Sequence, residues 1–462
     1  MAIASCAPCH EAIVRSYAAT GMGRSVSRPT EETRARGKGK HGGQEWEVAS
    51  RDGKLTHRVG SETRAPEWAV GSGHEGKSYI WRVGDSFFQS PLAWYSRRGA
   101  WDLSPGYAAD ATIDFLRPIT ADCLGCHAGE SRAVKGTLNR YEGGAPIPVP
   151  GIHCARCHGD GEAHIRDGRR GNIVNPARLA ARERDSVCEQ CHLSGAARVP
   201  LPGKSFGDFR PGMALEQVFS VYLPAAESGF KVVSHAEQLA QSACVKGSGE
   251  KLWCGSCHDA HREPAEAGRW FRERCVGCHA QTRPHGEDCA GCHMPRTSAR
   301  DGGHTAFTDH RIRKPGGAAA TEGPVKGLRA WREPALEWRA RGLGLAYAGV
   351  GELERAYGLL RGVAEDGEVQ SALGLIHLRR GKAAEAVAVL ERAAKAEPGN
   401  STRRLNLAAA LLAAGQRGRA AEEARQAMAI EPRMQDAYVL MAEIEPGRAA
   451  YWRGEFERRL RK

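Results

Sequence analysis

Seven copies of one pattern, Cys-x-x-Cys-His, constrain this chain more than any other feature. They are Cys6/Cys9/His10, Cys123/Cys126/His127, Cys154/Cys157/His158, Cys188/Cys191/His192, Cys254/Cys257/His258, Cys275/Cys278/His279 and Cys289/Cys292/His293, numbered here as motifs 1 to 7. Together they take up 14 of the 15 cysteines. Two thiols at this spacing add across the two vinyl groups of one porphyrin, and the adjoining histidine then falls under the iron as proximal ligand. The chain is therefore expected to hold seven covalently bound haem c groups. A structural zinc site also uses paired cysteines, but it has no need of a histidine directly after the second one. With 18 histidines in 462 residues, seven such coincidences have a chance on the order of one in ten billion, which sets zinc aside. A thioredoxin-like redox motif would occur once.

Motif 1 stands alone near the N-terminus, motifs 2 to 7 crowd into residues 123–293, and the last three occupy only residues 254–293. So few residues per motif can only wrap macrocycles that touch. The length implies two or three domains. Charged residues at 26% against hydrophobics at 41% exclude disorder, and Gly and Pro show no collagen-like period. No apolar run reaches the roughly 18 residues of a membrane span, so no transmembrane segment is expected. The formal charge of +12 would point to nucleic acid or an acidic membrane surface. Seven haems, each adding about −1 when oxidised and about −2 when reduced, bring it to roughly +5 or −2. No nucleic-acid partner is expected, and the basic residues read as propionate partners and solvated surface. Haem c is attached outside the cytoplasm, so a periplasmic or extracellular location is expected. The start Met-Ala-Ile-Ala-Ser-Cys6 has no room for a signal peptide and reads as a truncated or late-started sequence.

Whether the sixth iron position is filled separates an electron carrier from an enzyme. Ten further histidines precede residue 315: His41, His57, His74, His153, His164, His235, His261, His285, His304 and His310. Ten suffice for seven irons, with some left as surface or propionate-contacting residues. Bis-histidine ligation leaves no open site and suits outer-sphere transfer. His153 adjoins Cys154 and His261 follows His258 by three, so neither reaches the distal face of its own haem. Each can ligate only a neighbouring one. Met22 and Met294 are either weaker ligands or packing residues, and Cys244 reads as a buried free cysteine.

Between motifs 1 and 2 an insert spans about residues 24–120. Tyr79–Val83 and Phe87–Gln89 have strand character, and Gly84-Asp85-Ser86 is a turn between them. Trp81, Trp94, Tyr95 and Trp101 either cover a haem face or form the insert's own small core. The Gly- and Ala-rich stretch from Pro315 is a linker, beyond which no cysteine and only one histidine, His377, occur. The tail then repeats. Gly381-Lys382-Ala383-Ala384-Glu385-Ala386 returns as Gly415-Gln416-Arg417-Gly418-Arg419-Ala420, and Pro398 returns as Pro432, both 34 residues later. That interval is the tetratricopeptide period. Gly351 to Ala356 is a third copy displaced by 30 residues. Small residues at Gly374 and Ala408 suit a close helix contact. Three helical hairpins are expected, with Arg448 to Arg461 as a polar cap; the alternative is a generic Ala-rich bundle.

The chain resembles the multihaem cytochromes c related to the tetrahaem cytochrome that serves hydroxylamine oxidoreductase, in the version fused to tetratricopeptide repeats. The likeness is carried by Cys6-Ala7-Pro8-Cys9-His10 with Tyr17 and Thr20-Gly21-Met22, and by Gly71-Ser72-Gly73-His74, Trp94-Tyr95 and Trp101 to Tyr107. Cys154 to Gly159 with His164, Cys254 to His261, Cys289 to Pro295 and Phe307 to Ile312 carry it further. The resemblance spans essentially the whole chain. It implies distal-ligand roles for His74, His164, His235, His261, His285, His304 and His310, with His41 an eighth candidate, and it puts His153 in doubt.

The expected fold is mainly α with much irregular structure: a haem-packed cytochrome domain with a small β-rich insert, followed by an α-solenoid of tetratricopeptide repeats. The expected divisions are residues 1–120 for the motif 1 segment and insert, 121–314 for the six-haem domain, 315–325 for the linker and 326–462 for the repeats. The expected function is electron transfer along seven mostly bis-histidine haems, with redox proteins as partners and the repeats as a site for a peptide or helix. Two alternatives stand beside it: a reductase or oxidase of a small nitrogen or sulfur species with one open haem, and a subunit that self-assembles into an oligomer or conducting filament.

Overall fold

The computed structural model describes residues 5–29, 36–51, 53–225, 230–279, 287–299, 301–314 and 327–461. His285 and the linker at 315–325 lie outside the described residues. Each motif is carried by a short helix, with Cys6, Cys154 and His258 at the capping positions of theirs: Ala7–Ala18, Ala121–His127, Ala155–His158, Ala181–His192, Cys254–Cys257, Ala267–His279 and Cys289–His293. The spacing explains this. Residues i, i+3 and i+4 share one helical face, so a single turn aims both thiols and the imidazole the same way. Five of these helices end on their motif histidine.

The insert spans the expected stretch but holds more strands than the one hairpin read from the sequence, ten among the described residues. Gly37–His41, Gln44–Arg51, Lys54–Val59 and Glu62–Arg64 form an antiparallel meander. A second sheet runs in the order Val26–Ser27, Trp68–Val70, Gly76–Val83, Leu92–Tyr95, Ala100–Leu103, with Ser86–Gln89 paired to Gly76–Val83. The hairpin expected there forms with Val83 opposite Ser86, so the turn is Gly84-Asp85, and Gly84 takes φ +57° as such a tight reversal requires. Trp81, Tyr95 and Trp101 are buried with Trp46, Tyr79, Phe88 and Phe115, while Trp94 packs at their edge. These aromatics are the insert's own core.

The tail is a tetratricopeptide-like array of antiparallel hairpins: Leu336–Gly349 with Leu353–Leu360, Gly367–Arg379 with Ala383–Ala396, and Ser401–Ala413 with Arg417–Ile430. Gly351, Gly381 and Gly415 end the first helix of each hairpin at φ +85°, +71° and +73°, the left-handed cap that glycine supplies at least cost. Gly344 and Gly374 stand against Leu360 and Leu390, where an added Cβ would overlap the leucine; Ala408 is fully buried at the matching place. A fourth hairpin, Gln435–Ile444 with Ala449–Arg459, extends the three expected, and its last helix buries Trp452 and Phe456.

The array is clasped to the rest of the protein. Strand Leu328–Ala330 joins Phe219–Pro224 and Ala197–Pro200 in a three-stranded sheet, so the stretch expected to open the repeat domain belongs to the haem-motif region. The fully buried Glu431 carboxylate accepts from the Leu138 amide at 2.9 and 3.0 Å, the Asn139 amide at 3.0 Å and the Ser401 hydroxyl at 2.6 Å. Arg332 donates twice to the buried Glu189, at 2.8 and 2.9 Å. Burial pushes Glu189 up to about 7, with Arg332 pulling the other way. Among the described residues no helix is long and apolar enough to cross a membrane.

Candidate functional site

The part of the motif region that carries motifs 5 to 7 has no apolar core of its own among the described residues. Among the described residues from 225 to 298, no hydrophobic side chain is buried, although this stretch holds the helices of motifs 5, 6 and 7. Ile13 and Ile165, close to the facing rings of His10 and His164, are large apolar residues left about half exposed. His127 and His192 are exposed residues although enough protein surrounds them to push their pKa down by desolvation. A set of helices with this composition needs an apolar body between them. Porphyrins held by the motif thiols fit that need.

Histidine geometry supplies a second test. Two imidazoles bound on opposite sides of one metal, each through a nitrogen at about 2.0–2.1 Å, have ring centres about 6 Å apart. His10 faces His164 at 6.3 Å, His158 faces His261 at 5.9 Å, and His258 faces His310 at 6.1 Å, with the ring planes 16–25° apart. His192 faces His235 at 5.4 Å with the rings crossed at 83°. Each pair joins a motif histidine to one of the expected distal candidates. The four partners come from outside the motif they face: His164 follows motif 3, His261 follows motif 5 and His310 follows motif 7.

Metal-bound histidines are held by hydrogen bonds from their other ring nitrogen. Nδ1 of His158 donates to the Val174 carbonyl at 2.8 Å, that of His164 to Arg169 at 3.0 Å, that of His310 to Thr308 at 2.9 Å and that of His293 to Arg313 at 2.9 Å. In all four Nε2 is thereby turned outward with its lone pair. His261 has Asp259 Oδ1 at 3.4 Å from Nδ1. The buried Nδ1 of His235 has no partner. Desolvation lowers the pKa of His158, His192, His258 and His310, and takes His235 to about 3 with its neighbouring imidazoles adding to the effect. These rings are neutral at pH 7, the form that ligates iron.

The remaining candidates lie elsewhere. His41 ends a strand of the meander and donates from Nε2 to the Asp110 carbonyl at 2.7 Å. His304 donates from Nε2 to Asp102 at 2.9 Å and meets the Tyr95 ring edge-on, leaving only Nδ1. His74 is exposed, with Glu75 at 3.4 Å; Glu75 in turn pairs with Arg296, which brings this loop to the strand following motif 7. His153 is buried against Gly129. His57 is fully buried in the insert, where Nδ1 shares a 2.6 Å hydrogen bond with the Ser90 hydroxyl and the ring packs on Tyr79 and Trp101. Cys244 is a half-buried free thiol.

Sequence reading did not foresee that thiols of different motifs meet. Cys6 stands beside Cys154, Cys126 beside Cys191, Cys188 beside Cys254, and Cys275 beside Cys289. Among the described residues no three His, Cys, Asp or Glu side chains converge as a metal cluster. The thiols meet in twos, each from a separate motif.

No family model matches the chain, and no curated protein matches it. Solved structures of MamA are similar to part of it. MamA AMB-1 in a P212121 crystal shares 26% identity over 27% of this chain and 70% of its own, with a TM-score of 0.24. Another structure, titled Crystal structure of MamA, shares 18% over 28% of this chain and 79% of its own, with a TM-score of 0.26. The repeat assignment rests on the hairpins, their turn glycines and the 34-residue period.

Proposed function

We propose that this chain is a seven-haem c-type cytochrome that carries electrons outside the cytoplasm. The single observation that carries this is the pairing of His10, His158, His192 and His258 with His164, His261, His235 and His310 at 5.4–6.3 Å. When bound, haem supplies one-electron redox chemistry at iron. The motif cysteines would fix each macrocycle by thioether bonds, and the paired histidines would ligate its iron, leaving those irons closed to small-molecule substrates and limiting the rearrangement on reduction. The carbonyls of Val174, Arg169, Thr308 and Arg313 hold the rings in one tautomer and orientation. His74, His285, His304 and His41 remain candidates for the other three irons.

The repeat array is a protein-interaction module rigidly seated on this relay through Glu431, Arg332 and strand Leu328–Ala330. A redox partner or assembly partner held by the array is thereby fixed in position relative to the motifs. Periplasmic expression with haem maturation, followed by ferric EPR, tests the reading: at least four low-spin haems per chain are expected. A preparation with all haems high-spin overturns it.

A further inference from the structure

Resting on the haem reading above, we propose that motif 4 is the junction of the relay: sites 2, 3 and 5 pack directly on site 4, and sites 1 and 7 are the far ends of two arms.

Motif 4 touches three others. The Cys126 thiol of motif 2 stands beside Cys191 and donates to the Gln190 carbonyl at 3.8 Å, and Arg198 bridges the two, 3.6 Å from the Cys126 sulfur and 2.8 Å from the same carbonyl. Gln190 donates to the Arg156 carbonyl of motif 3 at 3.1 Å. Cys188 stands beside Cys254 of motif 5, and Arg184 of the motif 4 helix lies over the ring of Trp253, next to Cys254, at 5.1 Å and donates to the Glu250 carbonyl at 3.0 Å. Thioether sulfurs sit at the porphyrin edge, so motifs whose thiols touch hold macrocycles whose edges touch.

The arms follow by the same reasoning. Motif 1 reaches the junction through motif 3, to which Cys6–Cys154 and the His10–His164 pair bind it. On the other side, the Trp270 indole of the motif 6 helix donates to the Cys257 carbonyl of motif 5 at 2.8 Å, and Phe271 packs on His258. Cys275–Cys289 then joins motif 6 to motif 7. Exposure agrees with this layout. Cys9, Cys123, Cys278 and Cys292 are exposed, whereas both thiols of motifs 3, 4 and 5 are only partly so. The interior sites are 3, 4 and 5, and the surface is reached at 1, at 2, and at 6 and 7. A relay built this way has three outlets, which serves a protein exchanging electrons with more than one partner.

The test is an experimental structure of the periplasmically matured holoprotein, by crystallography or cryo-electron microscopy. The expected result is that the macrocycle at site 4 makes van der Waals contact, at about 3.5–4.0 Å, with those at sites 2, 3 and 5, and that site 1 touches only site 3. Contact of site 4 with fewer than three macrocycles, or of site 1 or 7 directly with site 4, overturns the junction while leaving the cytochrome reading intact. A chain that binds no haem fails the earlier reading instead.

Discussion

Replacing Glu431 by alanine tests whether the repeat array and the motif region are one cooperative unit. The carboxylate is fully buried and accepts from the Leu138 and Asn139 amides of one region and the Ser401 hydroxyl of the other. A buried donor left without its acceptor costs about 1–3 kcal/mol, and hydrogen bonds to a charged group are worth about 1.5–3 kcal/mol each. Water entering the truncated site recovers part of this, so Glu431→Ala is expected to cost about 3–5 kcal/mol, and Glu431→Gln, which keeps volume and one acceptor oxygen, about 1–3 kcal/mol. Denaturant titration of the holoprotein would follow helix by far-ultraviolet circular dichroism and the motif region by Soret absorbance. Both transitions should shift together by that amount. A loss under about 1 kcal/mol, or a helix transition that moves while the Soret transition stays, would refute the reasoning.

Other expectations concern single residues. Burial takes His57 down to about 3 from an ordinary 6.5, so its contribution to stability is complete above pH 6.5 and is lost as pH falls from 6.5 toward 3, by about 1.4 kcal/mol per unit; His57→Phe should flatten that part of a pH–stability profile, and an unchanged slope would contradict the assignment. Gly374→Ala places a methyl against Leu390 and should cost about 1–3 kcal/mol, whereas Gly358→Ala, with open space around it, should add about 0.5–1 kcal/mol; thermal melts of the two variants should move in opposite directions. His261→Ala should convert one low-spin haem to a high-spin, cyanide-binding one without changing the number attached, because His158 would lose its partner; an unaltered EPR spectrum would remove His261 from the ligand set.

The seven motifs were legible because their spacing is local and needs no tertiary information; that each sits on a helical turn was not read from the sequence. The Gly76–Gln89 hairpin was legible for a similar reason, since its turn and its aromatics are adjacent in sequence. The meander was not. Its strands carry Lys, Glu, Arg and Gly on the outer face, and Leu55, His57 and Val59 alternate inward over too short a stretch to stand out. The strand at Leu328–Ala330 owes its existence to a partner about a hundred residues earlier. Glu431 reads in sequence as an ordinary helix-end carboxylate; only the loop at Leu138–Asn139 makes it a buried clasp. The histidine pairs fall between these cases: the candidates His164, His235, His261 and His310 were named from sequence, but which motif each faces depends on how the helices cross.

The measurement bearing most directly on the central claim is the haem content of the exported, matured protein, by pyridine haemochrome absorbance together with iron and zinc per chain. Seven covalently bound haem c groups, seven irons and no zinc are expected from motifs 1 to 7. Fewer than seven haems, or zinc in place of iron, would contradict the account.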